Sequence, residues 1–464
     1  MTRMLPLLMV LILLAACGRE PTSLLEEVKE QGELVVLTRN SPTTYYEGPE
    51  GPTGLEYDLA SLFAERLGVK LRMVVPRNFN EILPLVASRR FHFAAAGLTV
   101  TKDRRKLVRF GPAYQSITAQ LVYRSGNGRP MDLNWLNGRL EVMVGSSHVE
   151  LLRELRQEHP NLSWHEKDRV ESEQLLSRVW DRLTDYTIAD SNELGINQRF
   201  YPELRVAMDL GDPQYLAWAF PLIEDTSLYD EAIDFFLDIR ESGKLRQLID
   251  RHYGHIQQLD YVGTRRYMRH IEERLPEYRP LFEAAGEATE QDWRLLAAMG
   301  YQESHWDPTA RSPTGVRGIM MLTLNTMRQL GLDNRLDPEQ SIMGGARYIR
   351  QIKDRLPERI TEPDRTWLAL AAYNVGLGHL EDARVLTERN GGNPDKWVSV
   401  KRFMPLLSEK KWYEQTRYGY ARGREPVQYV ENIRGYYDIL VWQTTSNRIP
   451  AAMPPSLDFL PPAI

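Results

Sequence analysis

Four consecutive apolar residues, Leu34-Val35-Val36-Leu37, open the first stretch that reads as a strand buried on both faces. A Pro/Gly-rich loop follows over residues 41–54. Over 57–68, Leu59, Leu62, Phe63 and Leu67 recur at helical spacing, and Gly68 stops the helix. The pattern then predicts a strand at 71–75, a helix at 81–88 and a strand at 91–98. Further strands are expected at 120–123, 141–144, 186–189 and 215–220, with helices at 230–242 and 244–253. Of these, 120–123 and 215–220 read as crossings between two halves. Strands alternating with helices predict parallel βαβ units, so residues 33–258 form an α/β module.

After residue 261 the strand signals stop. Residues 259–276 are polar and basic, end in Leu275-Pro276, and read as a linker. From 277 to 445 the pattern is helical, and the tail 446–464 is Pro-rich. At the other end, Arg3 precedes an apolar run over 5–14, too short to span a bilayer, which needs ~20 residues. Residues 1–16 therefore read as an export signal. It ends Leu14-Ala15-Ala16-Cys17-Gly18, which resembles a bacterial lipobox, with Cys17 lipidated and 17–32 a tether. Gly18 in the next position favours the outer membrane, with the rest of the chain on its periplasmic face.

Composition narrows the function classes. The net charge of −5 in 464 residues, with both signs interspersed, offers no polybasic footprint for nucleic acid. A single cysteine excludes an intrachain disulfide. No Cys/His set has zinc spacing, so neither metal nor cofactor is expected. His252 and His255, the one close histidine pair, read as ordinary helix-end residues.

Three segments of the front module resemble the periplasmic solute-binding proteins for amino acids. They are Gly54-Leu55-Glu56-Tyr57-Asp58-Leu59-Ala60, then Gly97-Leu98-Thr99-Val100-Thr101-Lys102-Asp103-Arg104 with Phe110-Gly111-Pro112-Ala113-Tyr114, and Ile188-Ala189-Asp190-Ser191. The resemblance implies two lobes closing on a zwitterion. Arg104 would grip a carboxylate, with Thr99 and Ser147 as further donors, and Asp190 would hold an ammonium group. The acidic residue usual near the first strand is missing, and Arg39 stands in that area. A peptidoglycan peptide, carrying both amino and carboxylate ends, is the expected ligand.

In the helical module, Ala297-Ala298-Met299-Gly300-Tyr301-Gln302-Glu303-Ser304 reads as an apolar helix ending in a glutamate ahead of Asp307-Pro308. A carboxylate at the negative end of a buried helix should have a raised pKa, the state a general acid needs. Asp307, the rival carboxylate, reads as a turn former. Gly318-Ile319-Met320-Met321 forms a tight turn, and Asp337-Pro338-Glu339-Gln340 caps a helix. Ala372-Tyr373-Asn374 ends another helix, and Tyr429-Val430 opens the last.

These blocks, in this order, resemble the soluble-lytic-transglycosylase family, whose fold is lysozyme-like and of the goose type. With the front module, the whole chain resembles the membrane-bound lytic murein transglycosylase F subfamily. The resemblance implies a multidomain protein, an α/β two-lobed binding domain followed by a mainly α catalytic domain. Glu303 would protonate the bond between N-acetylmuramic acid and N-acetylglucosamine in peptidoglycan, then take the C6 hydroxyl proton as a 1,6-anhydro ring closes. Tyr373, Asn374 and Tyr429 would position the sugar, Ser304 would hydrogen-bond it, and Met320 would form pocket wall. Met321 stands where the family has Gln. Two readings remain beside this one: a hydrolytic lysozyme, and a non-catalytic solute-binding sensor that grips murein.

Overall fold

The computed structural model describes residues 23–48, 51–254, 261–311 and 316–446. The export signal, Cys17, His255 and the tail beyond 446 lie outside the described residues.

Residues 33–254 fold as two lobes, each built on a five-stranded sheet. In the first lobe the order is Lys70–Val74, Glu33–Leu37, Phe93–Ala94, Ala219–Pro221, Val108–Phe110. The first three strands are parallel, as the alternation of strands and helices predicts, and Ala219–Pro221 enters antiparallel. In the second lobe the order is Leu204–Leu216, Gln115–Arg124, Tyr186–Asp190, Leu140–Met143, His165–Lys167. Gln115–Arg124 and Leu204–Leu216 pair antiparallel and carry the chain between the lobes. The sequence pattern revealed only short pieces of these long strands; Leu204–Leu216 is exposed in its middle, at Gly211-Asp212-Pro213, where the pairing shifts register and apolar alternation is lost.

The first lobe packs around Phe63, Phe93, Trp218, Phe235 and Phe236, whose rings lie 4.6–6.0 Å apart in successive contacts. Within this apolar mass sits the carboxylate of Glu56. It accepts from Tyr114 Oη, Trp218 Nε1 and the Gly97 amide, so both of its oxygens are hydrogen-bonded. Burial pushes its pKa up despite these donors. The group holds Gly97, and with it Thr99, at the cleft edge.

The helical half is described through seven helices, α2 to α8. Its first helix, α2 (Tyr261–Glu273), covers most of the stretch read as a linker. This corrects the sequence reading. Basic residues line the outer face of α2, but Tyr267 is fully buried among Tyr301, Trp306 and Tyr436. One aromatic per few turns is too sparse for a periodicity argument, yet it is enough to seat the helix in the core. Leu275-Pro276 does not end helicity; it begins α3 (Leu275–Thr289), with Pro in the first turn where no amide donor is needed. The core then collects α4 (Trp293–Ser304), α5 (Pro338–Arg355), α6 (Asp364–Val375), α7 (Leu377–Arg389) and α8 (Arg424–Ser446). Asp337 caps α5 by accepting from the Gln340 amide, as its sequence signature predicts.

The two halves touch through α8 and through Lys401 of the helix Trp397–Phe403. Phe200 stacks on Trp442 at 4.6 Å and 26°, and Arg199 pairs with Asp438. Arg434 donates to the Asp250 and Arg251 carbonyls at 2.8 and 3.1 Å and to Glu431 at 2.8 Å. Lys401 joins Asp250 to Glu431. Phe200 follows α1 (Ser191–Asn197), whose N-cap is Asp190.

Candidate active site

Glu303 lies in the last turn of α4. The helix stops because His305 and Trp306 both take positive φ, 54° and 57°, and Trp306 is buried with its indole donating to Ala297 O at 2.8 Å. Gly300 lets the core close behind the acid, since a Cβ there would stand 2.9 Å from the Phe282 ring. Asp307 accepts from Thr309 N and Oγ1 at 2.8 and 2.7 Å, the turn its Asp-Pro setting predicts.

Tyr429, near the start of α8, donates its hydroxyl to Glu303 Oε1 at 2.6 Å. Burial lifts the Glu303 carboxyl from 4.5 to about 7, and the Tyr429 bond opposes the lift without cancelling it. The sequence reading gave the helix dipole as the cause of a raised pKa; desolvation is the main one here. Burial and the neighbouring Glu303 charge push the Tyr429 and Tyr373 phenols well above their ordinary range, so both stay protonated donors.

The turn at 318–321 forms the facing wall. Gly318 has φ +84°, and a Cβ there would meet the Arg335 carbonyl oxygen at 1.9 Å. Three hydrogen bonds lock the turn: Ser304 Oγ to Ile319 O at 2.9 Å, Met320 N to Ser341 Oγ at 3.1 Å, and Tyr373 Oη to Met320 O at 2.9 Å.

These contacts revise several expected roles. The Ser304 hydroxyl is spent on backbone carbonyls rather than facing a sugar. Met320 is fully buried and offers its carbonyl, not its side chain. Tyr373 and Tyr429 are donors to the protein, so they position the turn and the acid. Asn374 is exposed at the end of α6, free to meet a ligand. Met321 is half-buried at φ 46° beside the turn.

The second site is the cleft between the lobes, about 370 Å³ including its open mouth. Thr99, Arg104, Ser147 and Asp190 all line it, as the sequence predicts. Arg104 reaches across the lobes to the Gly145 carbonyl at 3.0 Å and Glu150 at 3.2 Å, and it also donates to Thr99 O at 3.2 Å. Ser147 Oγ meets Thr99 Oγ1 at 3.1 Å, and Asp190 pairs with His148 Nε2 at 3.0 Å.

The strongest feature of the cleft went unread in the sequence. Arg39, 5% exposed, pairs with Glu193 and lies 3.8 Å from Glu171, while Ser41 donates to Glu173. Burial works to raise the Glu193 carboxyl, but the Arg39 guanidinium, the Ser172 hydroxyl and His148 together hold the group low. Glu171, farther from Arg39, is lifted by burial to about 7. Arg39 thus clasps the first lobe to Glu193 and Glu171 of the second, and Ser41 ties it to Glu173. The unexpected arginine in place of an acid was the available signal. Its partners lie well over a hundred residues away. His252, read as an ordinary helix-end residue, meets Asp58 at 2.8 Å.

Comparison with known proteins separates the two halves. Residues 34–255 match the bacterial extracellular solute-binding proteins, family 3, and residues 280–395 match the transglycosylase SLT domain. The chain is 55% identical over 423 residues to membrane-bound lytic murein transglycosylase F 1 of Alkalilimnicola ehrlichii, covering 91% of this chain and 86% of that one. The chain belongs to the membrane-bound lytic murein transglycosylase F family. A second member, from Saccharophagus degradans, is 51% identical over 432 residues, with 93% and 86% of the two chains covered. Among solved structures, a mutant of ArgBP from T. maritima aligns with 50% of this chain and 99% of its own, at 21% identity and a TM-score of 0.45.

Proposed function

We propose that Glu303 is the acid and base of a lytic transglycosylase that cuts the β-1,4 bond between N-acetylmuramic acid and N-acetylglucosamine. The observation that carries this reading is the Glu303–Tyr429 pair: a carboxyl with its pKa lifted by burial to about 7 and oriented by one donor. Protonated, it gives its proton to the glycosidic oxygen as the bond to C1 breaks. The resulting carboxylate accepts the proton of the muramoyl C6 hydroxyl while that oxygen closes on C1. The product is a terminal 1,6-anhydro ring. No water is consumed, so the second carboxylate of a hydrolase has no role to fill. Asn374 contacts the sugar, and Tyr373 and Ser304 hold the turn that frames it. Digestion of purified murein by the wild type and by Glu303→Gln tests this. The wild type releases anhydro-muropeptides, lighter by one water than hydrated ends, and the variant releases none. Reducing ends would instead mark a hydrolytic lysozyme.

The front module takes a zwitterionic peptide fragment of peptidoglycan, with its carboxylate toward Arg104 and its ammonium toward Asp190. Support comes from the two-lobed cleft and from α1, which starts at Asp190 and leads into the Arg199 and Phe200 contacts with α8, the helix that carries Tyr429. Ligand binding there changes the cleavage rate. Calorimetry of muropeptides against wild type and Arg104→Ala checks the binding, and turnover with and without ligand checks the coupling. Lipidation at Cys17 holds the protein at the outer membrane, facing the periplasm. The relatives are named membrane-bound, and among the described residues no helix is long and apolar enough to cross a membrane.

A further inference from the structure

Beyond Asn374 the chain continues directly into α7, and there a second set of exposed groups gathers. Tyr418 is 52% exposed and Tyr420 56%, unusual for tyrosines in an ordered loop. The Tyr418 ring lies against Gly378, so closely that a Cβ at that position would meet ring carbons at 2.8–2.9 Å. His379 stands edge-on to Tyr418 at 6.2 Å, and Tyr413 edge-on to Tyr420 at 5.7 Å. The loop is held rather than loose. Asp382, buried in α7, accepts the Arg417 and Tyr418 amides at 3.0 and 2.8 Å. A buried carboxylate spent on two loop amides sets the ring in place before any ligand arrives. The enclosed His379 Nδ1 has no hydrogen-bond partner among the described residues.

Both strips of chain that build this shelf run into the active site. Gly378 follows Asn374 by four residues, a reach of at most about 14 Å. The Tyr418–Tyr420 loop leads into α8 and reaches Tyr429, the donor to Glu303. Short stretches of chain therefore tie the shelf to the Asn374 side of the active site.

We infer that Tyr418, with His379 and Tyr420, is a remote glycan subsite, an aromatic platform that stacks on a sugar of the strand beyond those at the scissile bond. The inference rests on the transglycosylase reading. A pyranose presents an apolar C–H face that suits an aromatic ring. Arg417, whose guanidinium lies 5.5 Å from the Tyr418 ring centre, offers a charge to acidic substituents on the strand.

The test compares wild type, Tyr418→Ala and Tyr418→Phe as full chains on peptide-free murein glycans of two lengths, a tetrasaccharide and strands of many disaccharides. Tyr418→Ala is expected to raise KM on long strands roughly three- to tenfold, with kcat unchanged. The tetrasaccharide should be cut as by the wild type, and Tyr418→Phe, which keeps the ring, should behave as wild type on both. An equal change on both lengths, or a loss in kcat alone, overturns the subsite. Should Tyr418→Ala melt early, Tyr420→Ala, away from the Gly378 contact, gives the same length-dependent readout. If the wild type cuts neither glycan, it is the transglycosylase reading that fails.

Discussion

Replacing Glu303 by Gln should abolish cleavage and stabilise the fold, by an amount that depends on pH. In the folded state burial holds the Glu303 proton up to about 7, against an ordinary value of 4.5. Between those values the folded protein binds more protons at this site than the unfolded chain does, so its stability falls as pH rises through the window. At 1.36 kcal/mol per pH unit, the full burden above pH 7 is about 3 kcal/mol. This is a ceiling, because Glu303 is only half-buried and water shares its charge. Gln carries no charge at any pH and keeps an oxygen for the Tyr429 hydroxyl. The variant should therefore match the wild type near pH 4.5 and exceed it at pH 8. For a domain of this size the ceiling corresponds to roughly 6–12 °C in Tm. Thermal melts of both proteins across pH 4.5–8.5, following the transition of the catalytic half, measure the gap. Anhydro-muropeptide release on the same samples measures activity. A gap that is constant with pH would refute the desolvated-acid account. Residual activity equal to wild type would remove Glu303 from the chemistry altogether.

Other substitutions probe the supports of the two sites. Tyr429→Phe removes the donor that favours ionised Glu303, so the alkaline limb of the kcat/KM profile should move to higher pH. Turnover at pH 7 should fall about tenfold, the worth of one hydrogen bond to a charged group at ~1.5 kcal/mol; a limb that moves to lower pH contradicts the geometry. Gly318→Ala forces a Cβ onto the Arg335 carbonyl at φ +84° and should cost on the order of 2–4 kcal/mol, seen as an earlier melt of the catalytic half. Arg39→Ala leaves Glu171, Glu173 and Glu193 facing one another and should destabilise the front module by roughly 3–5 kcal/mol at pH 8. That loss should shrink toward pH 5 as the orphaned carboxylates take up protons, and a pH-independent loss in denaturant titrations would show that the clasp does not work through charge.

The local patterns in the chain determined a good deal. The apolar run at Leu34–Leu37 is a central strand, and the Asp337-Pro338 start of α5 carries the cap its spelling predicts. The motif around Glu303 pointed to a buried helix-end carboxylate, and the solute-binding resemblance pointed to Thr99, Arg104, Ser147 and Asp190, which line one cleft. These features are legible because helix and strand periodicity, capping and tight turns act over a few residues. Tertiary structure alone decided what each side chain does. Tyr429 meets Glu303 across 126 residues of sequence, and Arg39 meets Glu193 across 154. Ser304 and Tyr373 look like sugar ligands in the linear motif, but packing spends their hydroxyls on the 318–321 turn. The basic stretch at 261–273 looks like a linker until Tyr267 finds its aromatic pocket. Which buried donor meets which acceptor, and how far desolvation moves a pKa, depend on distances in space that no short-range pattern encodes.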